Sequence, residues 1–248
     1  MNQWNLDIQE TGTPLSYAYA HVHRAAYTYY SNYNSYGIQP PPPPEYMQIV
    51  YNADKLHINV NDNNNRSHYF DFNSSWDAAQ VKCSYNLSTD DSRKIFGTAI
   101  HELAHVSHWS LGFSTANYLN FNSSKLAESW AQCVGWYVTK DIYSSITNYA
   151  QPWNDFDATQ LASLNQGTFI SNDRYTPLFI DLIDDYNQSI QGFGRPYDSA
   201  VGYSLGQLEE FLSHEPNNWT SYRNYLRDNS SNTTENDALY LFDIYDKD

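Results

Sequence analysis

Basic residues and cysteines are scarce in this chain, and it has no long apolar run. Thirteen Lys and Arg stand against 28 Asp and Glu, a formal charge of −15 and a pI near 4.7. So acidic a chain has no cationic face to offer phosphates, which excludes nucleic acid and anionic membrane as expected partners. No stretch approaches the 18 or more consecutive apolar residues of a membrane span. Cys83 and Cys133 are the only cysteines. They can form one bridge at most, tying the segment before residue 90 to the 124–140 region, or stay as buried thiols. With 248 residues the chain suits one domain, large enough to bury a substantial core. Its apolar content leans on 23 tyrosines, so low mean hydropathy here does not imply disorder.

Five residues carry the strongest signal: His101-Glu102-Leu103-Ala104-His105. Two His four apart share one face of a helix and can offer ring nitrogens to one zinc ion, with Glu102 one position round as a base for a metal-bound water. The surroundings read as a helix. Ser88-x-x-Asp91 offers a cap, Asp90 and Asp91 suit the N-terminal dipole, and Gly112 offers a stop. Phe96, Ile100 and Leu103 give the apolar stripe that seats such a helix in a core.

A catalytic zinc needs a third protein ligand and an open position. In the three-His pattern H-E-x-x-H-x-x-G-x-x-H, the chain turns at a Gly and returns a third His. Here His108 and Leu111 occupy those places, so that pattern is excluded. His108 falls near the face of His101 but about 10.5 Å further along a straight helix, too far to share the ion. It is left to a supporting, substrate-facing, packed or solvated role. Glu128 is the better third ligand. It lies in Ala127-Glu128-Ser129-Trp130-Ala131, early in a second helical pattern capped by Ser123 or Ser124, with Leu126, Trp130, Val134 and Tyr137 as its apolar face. Ala131 and Gly135 follow Glu128 on its own side, and Gly97 lies one turn before His101. A mid-helix Gly costs roughly 1 kcal/mol relative to Ala, so both glycines suggest close helix packing. The plain alternative for Glu128 is a carboxylate favouring a helix N-terminus.

HELAH followed 23 residues after its second His by AESWA resembles the gluzincin class of zinc metallopeptidases. Over about residues 90 to 245, the runs IHELAHVSHW, AESWAQCVGWYV, YTPLFIDLIDD and VGYSLGQLE are similar to secreted zincin-like proteins of gut Bacteroidetes. The resemblance implies His101, His105 and Glu128 as zinc ligands, Glu102 as general base, and hydrolysis of protein or peptide substrates; a zinc hydrolase of a non-peptide substrate, and a zincin fold that binds glycan or a surface partner without peptidase activity, are the alternative readings. Thermolysin-like members carry an Asp four residues after the Glu ligand. Gln132 stands there instead, a neutral group that raises ligand basicity less.

The oxyanion needs a donor beside the metal. Tyr203, in a Gly-Tyr-Ser turn, is the first candidate and Tyr118 the second, followed by Arg195 and His214. For any of these tyrosines, a packed aromatic with a bonded hydroxyl is the competing reading. Peptide deformylases combine H-E-x-x-H with an upstream Cys, but Val81-Lys82-Cys83-Ser84-Tyr85 lacks their pattern.

The expected fold is α+β and zincin-like, one domain over 1–248. One lobe covers about 1–112 with a small N-terminal β-sheet and the HExxH helix, and a helical lobe covers 113–248. A Tyr-rich helix is expected over 14–31. Five prolines within Gln39 to Glu45 form a stiff polyproline connector. Strands are expected at 47–52, 56–60 and 67–72, the last two joined by the polar turn 61–65. Thr176-Pro177 and Ser204-x-x-Gln207 mark later helix starts. Asp181, Asp184 and Asp185 are expected on a solvated face. Met1-Asn2-Gln3-Trp4 has no signal-peptide layout. With the resemblance, the expectation is a monomeric, secreted or cell-surface protein whose leader is absent from this sequence.

Overall fold

The computed structural model describes residues 14–40, 56–61, 69–73, 78–84, 90–111, 124–143, 176–185, 198–214 and 218–246. Seven helices are described: α1 (Pro14–Tyr36), α2 (Ser92–Ser110), α3 (Ser124–Tyr143), α4 (Leu178–Ile183), α5 (Leu205–His214), α6 (Trp219–Asn229) and α7 (Glu235–Asp246). All seven contribute to one hydrophobic core.

The expected α+β, zincin-like class is therefore corrected to a mainly helical one. The small N-terminal sheet is not seen in the form expected. Three short backbone segments, β1 (Leu56–Asn61), β2 (Tyr69–Asn73) and β3 (Ala78–Ser84), pair in the order β1-β3-β2. β1 lies parallel to β3 with Leu56 opposite Ala79, and β2 lies antiparallel to it with Tyr69 opposite Lys82. The hairpin expected about residues 61–65 would have made β1 and β2 neighbours. Instead Ala78–Ser84, which alternation did not mark, lies between them. The expected strand 47–52 and residues 62–65 of the turn fall outside the described residues.

The helical frame follows from apolar periodicity. On α1, Ala18, Val22, Ala25 and Tyr29 recur on one face and are all buried. α1 runs beyond residue 31 and ends in a Schellman turn at Gly37, where φ is +73°. The Ile38 amide donates to the Tyr33 carbonyl at 3.1 Å and the Gly37 amide to Asn34 at 3.2 Å. α2 packs between α1 and α3. Its cap is Asp91, whose carboxylate accepts from the Lys94 amide at 2.8 Å, not Ser88. The expected capping box before α5 is present. Gln207 accepts from the Ser204 amide at 3.0 Å, and Ser204 Oγ accepts from the Gln207 amide at 3.2 Å.

Tyrosine is abundant here because it packs and braces together. Tyr143 donates to the Ser92 carbonyl (3.2 Å), tying the end of α3 to the start of α2. Tyr222 donates to Leu208 (2.9 Å), and Tyr245 to the Asp181 carboxylate (2.7 Å). Asp181 is thus buried against α7, which corrects its expected place on a solvated face. Cys83 and Cys133 are both buried and are not joined in a disulfide. No described helix is long and apolar enough to cross a membrane.

The chain leading to the proline run is clamped on both sides. The Gln39 amide donates to Glu209 Oε2 of α5 at 2.6 Å, while the Gln39 carbonyl accepts from Ser107 of α2 at 2.8 Å. A Cβ on Gly206 would stand 2.6 Å from the Gly37 carbonyl oxygen, so this crossing requires glycine. Burial pushes the Glu209 carboxyl up to about 8, the Gln39 amide opposing. Burial, with Asp184 and Asp237 nearby, pushes Asp198 up to about 7. Both groups favour the protonated folded form. Their stabilisation is present below the unfolded carboxyl pKa and is lost as pH rises through about 7 to 8. Chelator-treated protein should accordingly lose thermal stability from about pH 4.5 up to about pH 8 and level off above it, by at most about 1.4 kcal/mol per pH unit for each group. Glu209→Gln should flatten that slope. An unchanged slope in the variant, measured by calorimetry, rules out the assignment.

Candidate metal centre

The two helices that carry the site run antiparallel. The crossing is close because Gly97 and Gly135 face each other where side chains would intervene. A Cβ on Gly135 would lie 3.2 Å from the Gly97 carbonyl oxygen and 3.4 Å from His101 Cβ. The sequence-level reading of both glycines as packing residues agrees with these distances.

Along that crossing, α2 presents His101 and His105, and α3 presents Glu128 from its second turn. His101 Nε2 lies 3.2 Å from Glu128 Oε2, His105 Nε2 lies 3.2 Å from the same oxygen, and the two Nε2 atoms are 3.2 Å apart. The imidazole planes stand at 86° with centroids 4.8 Å apart, so two nitrogens and one oxygen converge from different directions. His105 is buried, and Glu128 is the most open of the three, its side chain 24% exposed. Solvent therefore reaches the triad from the Glu128 side.

This triangle tests whether a metal fits. Each ring nitrogen carries one proton at most and points it in one direction. Two such nitrogens cannot satisfy three contacts of equal length with hydrogen bonds alone. A cation inside the triangle accepts a lone pair from all three. Tetrahedral zinc with bonds of about 2.0–2.1 Å separates its ligand atoms by about 3.3–3.4 Å, close to the distances observed. Two imidazoles and one carboxylate are also a donor set that zinc takes, with a fourth position left open. Among the described residues, these three form the group of metal-binding side chains.

Electrostatics separate the two carboxylates. Glu102, one residue from His101, is only 4% exposed. Burial pushes its carboxyl up to about 7, with His101 opposing and the Glu128 charge adding to the rise. Burial also acts to raise Glu128. The hydrogen bonds and charge of His101 and His105 outweigh it and hold Glu128 well below the usual carboxylate range. One acid is ionised and engaged. The other is buried and able to exchange a proton.

The remaining sequence candidates are placed elsewhere or lie outside the description. Tyr203 is buried, and its hydroxyl accepts from Ser230 Oγ at 3.3 Å. That contact lies against the chain after α6 and leaves the hydroxyl's own proton to donate. Tyr118 and Arg195 lie outside the described residues. His214 stacks on Tyr225 with centroids 4.8 Å apart. His108 is fully buried at the end of α2 and is not a member of the triad. Gln132 is half-buried one turn beyond Glu128. Cys133 is buried, with its thiol pushed up by burial and by Asp184 and Asp181.

Sequence reasoning missed the support beneath Glu128. The neighbouring Ser129 Oγ accepts from the Thr176 amide at 2.8 Å and lies 3.0 Å from the Thr176 hydroxyl. This hooks the start of α4 onto α3. A serine following Glu128 carries no local signal of a partner 47 residues away. At the start of α3, Lys125 donates to the Tyr245 carbonyl at 2.7 Å and holds the end of α7.

Comparison with protein-family models, with curated proteins and with solved structures finds no match for this chain.

Ser129→Ala should leave the buried Thr176 amide without its acceptor and destabilise the fold by about 1–3 kcal/mol in urea unfolding. A loss below a few tenths of a kcal/mol sinks the claim that this hook supports the ligand helix.

Proposed function

We propose that this protein is a zinc-dependent hydrolase of peptide bonds in protein or peptide substrates, with His101, His105 and Glu128 as metal ligands and Glu102 as general base. The observation that carries the reading is the mutual 3.2 Å triangle of two imidazole nitrogens and one carboxylate oxygen beside a buried glutamate. The gluzincin resemblance of HELAH and AESWA supports peptides as the substrate, and the expected setting is secreted or cell-surface.

Zinc bound at this triad supplies Lewis acidity to a substrate carbonyl and acidifies a water for attack. The chain's own residues do the rest. Glu102 accepts the proton of the attacking water and returns it to the leaving amine, so one carboxyl acts as base and then as acid. Its burial keeps bulk water from competing for that proton. Glu128 stays anionic between two imidazoles and leaves the base role to Glu102. A purely structural metal site needs no such base, which favours hydrolysis over a binding role.

Purified protein should retain about one zinc per chain and cleave peptides in a mixed peptide pool, read by mass spectrometry. Glu102→Gln should keep the metal and lose about 10²–10⁴-fold in rate. Glu128→Ala should weaken zinc retention. Protein that stays metal-free with all three ligands intact overturns the metal assignment. Zinc-loaded protein that leaves every peptide uncut overturns the peptidase assignment alone.

A further inference from the structure

The 3.2 Å triangle depends on how closely α3 approaches α2, and that approach is set away from the ligands. Gly135 lies seven residues beyond Glu128, two turns and about 10.5 Å along α3. Its absent side chain would sit 3.4 Å from His101 Cβ, the root of a ligand, 3.6 Å from the His101 amide nitrogen, and 3.2 Å from the Gly97 carbonyl oxygen. The nearest of these is a helix carbonyl, which cannot swing aside as a flexible side chain would. Four residues earlier on α2 the same crossing repeats with different chemistry. A Cβ on Gly97 would meet Thr139 Oγ1 at 3.0 Å, and that hydroxyl is tied by a 2.5 Å hydrogen bond to the Gly135 carbonyl. Thr139 is buried, so it has no solvent-side space into which to turn.

We propose that Gly135 is a positioning residue of the metal centre, its missing side chain fixing the spacing of α2 and α3 that brings Glu128 to His101 and His105, with Gly97 and Thr139 as the second point of that spacing. This inference rests on the metal-binding reading above. Zinc geometry tolerates only about 0.2 Å in ligand distance, while a methyl at residue 135 requires a shift of a few tenths of an ångström in backbone or in His101. The same methyl favours the helix itself, since Ala is a better helix former than Gly. Metal affinity and local helix preference therefore move in opposite directions, which a merely structural role would not produce.

Zinc dissociation constants measured by chelator competition test this, with the d–d absorption of the cobalt-substituted protein as a second reading and circular dichroism to establish folding. Wild type should bind tightly, and Gly135→Ala should bind about tenfold or more weakly while remaining folded, with a changed cobalt spectrum. Gly97→Ala should also weaken binding, and Thr139→Ala should restore it in that background by removing the hydroxyl the new methyl meets. Tight wild-type binding with equal binding by Gly135→Ala overturns the inference and leaves the metal assignment standing. If Gly135→Ala does not fold, the Gly97 and Thr139 pair decides: restored binding supports the spacing, and unrestored binding overturns it. Wild type that binds neither zinc nor cobalt overturns the metal reading and this inference together.

Discussion

The close antiparallel crossing of α2 and α3 is the contact on which the candidate metal centre depends. It is the place where two glycines let backbone meet backbone, and it holds two histidines and a glutamate at mutual hydrogen-bond distance. Most other elements brace one of these two helices. α1 packs along α2 through Ala18, Val22, Ala25 and Tyr29, and Arg24 lies over the rings of Phe96 and Tyr143, 5.8 and 5.1 Å from their centroids. α4 is hooked to α3 through Ser129 and Thr176, and the end of α7 is held by Lys125. A displaced ligand would therefore require several packed helices to move together, and dense interiors resist that.

The two acids near the triad illustrate how burial and partners divide labour between like groups. Glu102 and Glu128 differ little in chemistry, yet one is raised by burial and the other held down by two imidazoles. Without two histidines facing it, Glu128 would be left with the partial burial that acts to raise it. The distinction between the candidate ligand and the candidate base thus comes from which neighbours the crossing supplies.

Local patterns read well in the chain. The 3.6-residue periodicity of α2 and α3 and the capping box at Ser204 and Gln207 depend on residues within a few positions of one another. Features that need a distant partner were not legible. The α2 cap is a separate case, a local choice in which Asp91 takes the place of Ser88. The β1–β2 hairpin failed because Ala78–Ser84 pairs with both strands, and no turn signal encodes that order. Asp181 looked solvated because its partner, Tyr245, lies 64 residues away. The contact of Tyr203 with the Ser230 hydroxyl likewise joins residues on either side of two helices. With 23 tyrosines to choose from, composition could not separate a brace from a donor.

The sequence alone singled out the candidate ligands and the candidate base, because i, i+4 spacing places His101 and His105 on one helical face whatever the helix packs against. It also determined that Glu128 stands on a second helix with small residues beside it. Only the tertiary structure decided that these two helices cross antiparallel at Gly97 and Gly135 and that the three ligand atoms close to 3.2 Å. The same was true of the mainly helical class. Periodicity is a property of one segment, whereas the separation of two helices depends on side-chain volumes contributed by both.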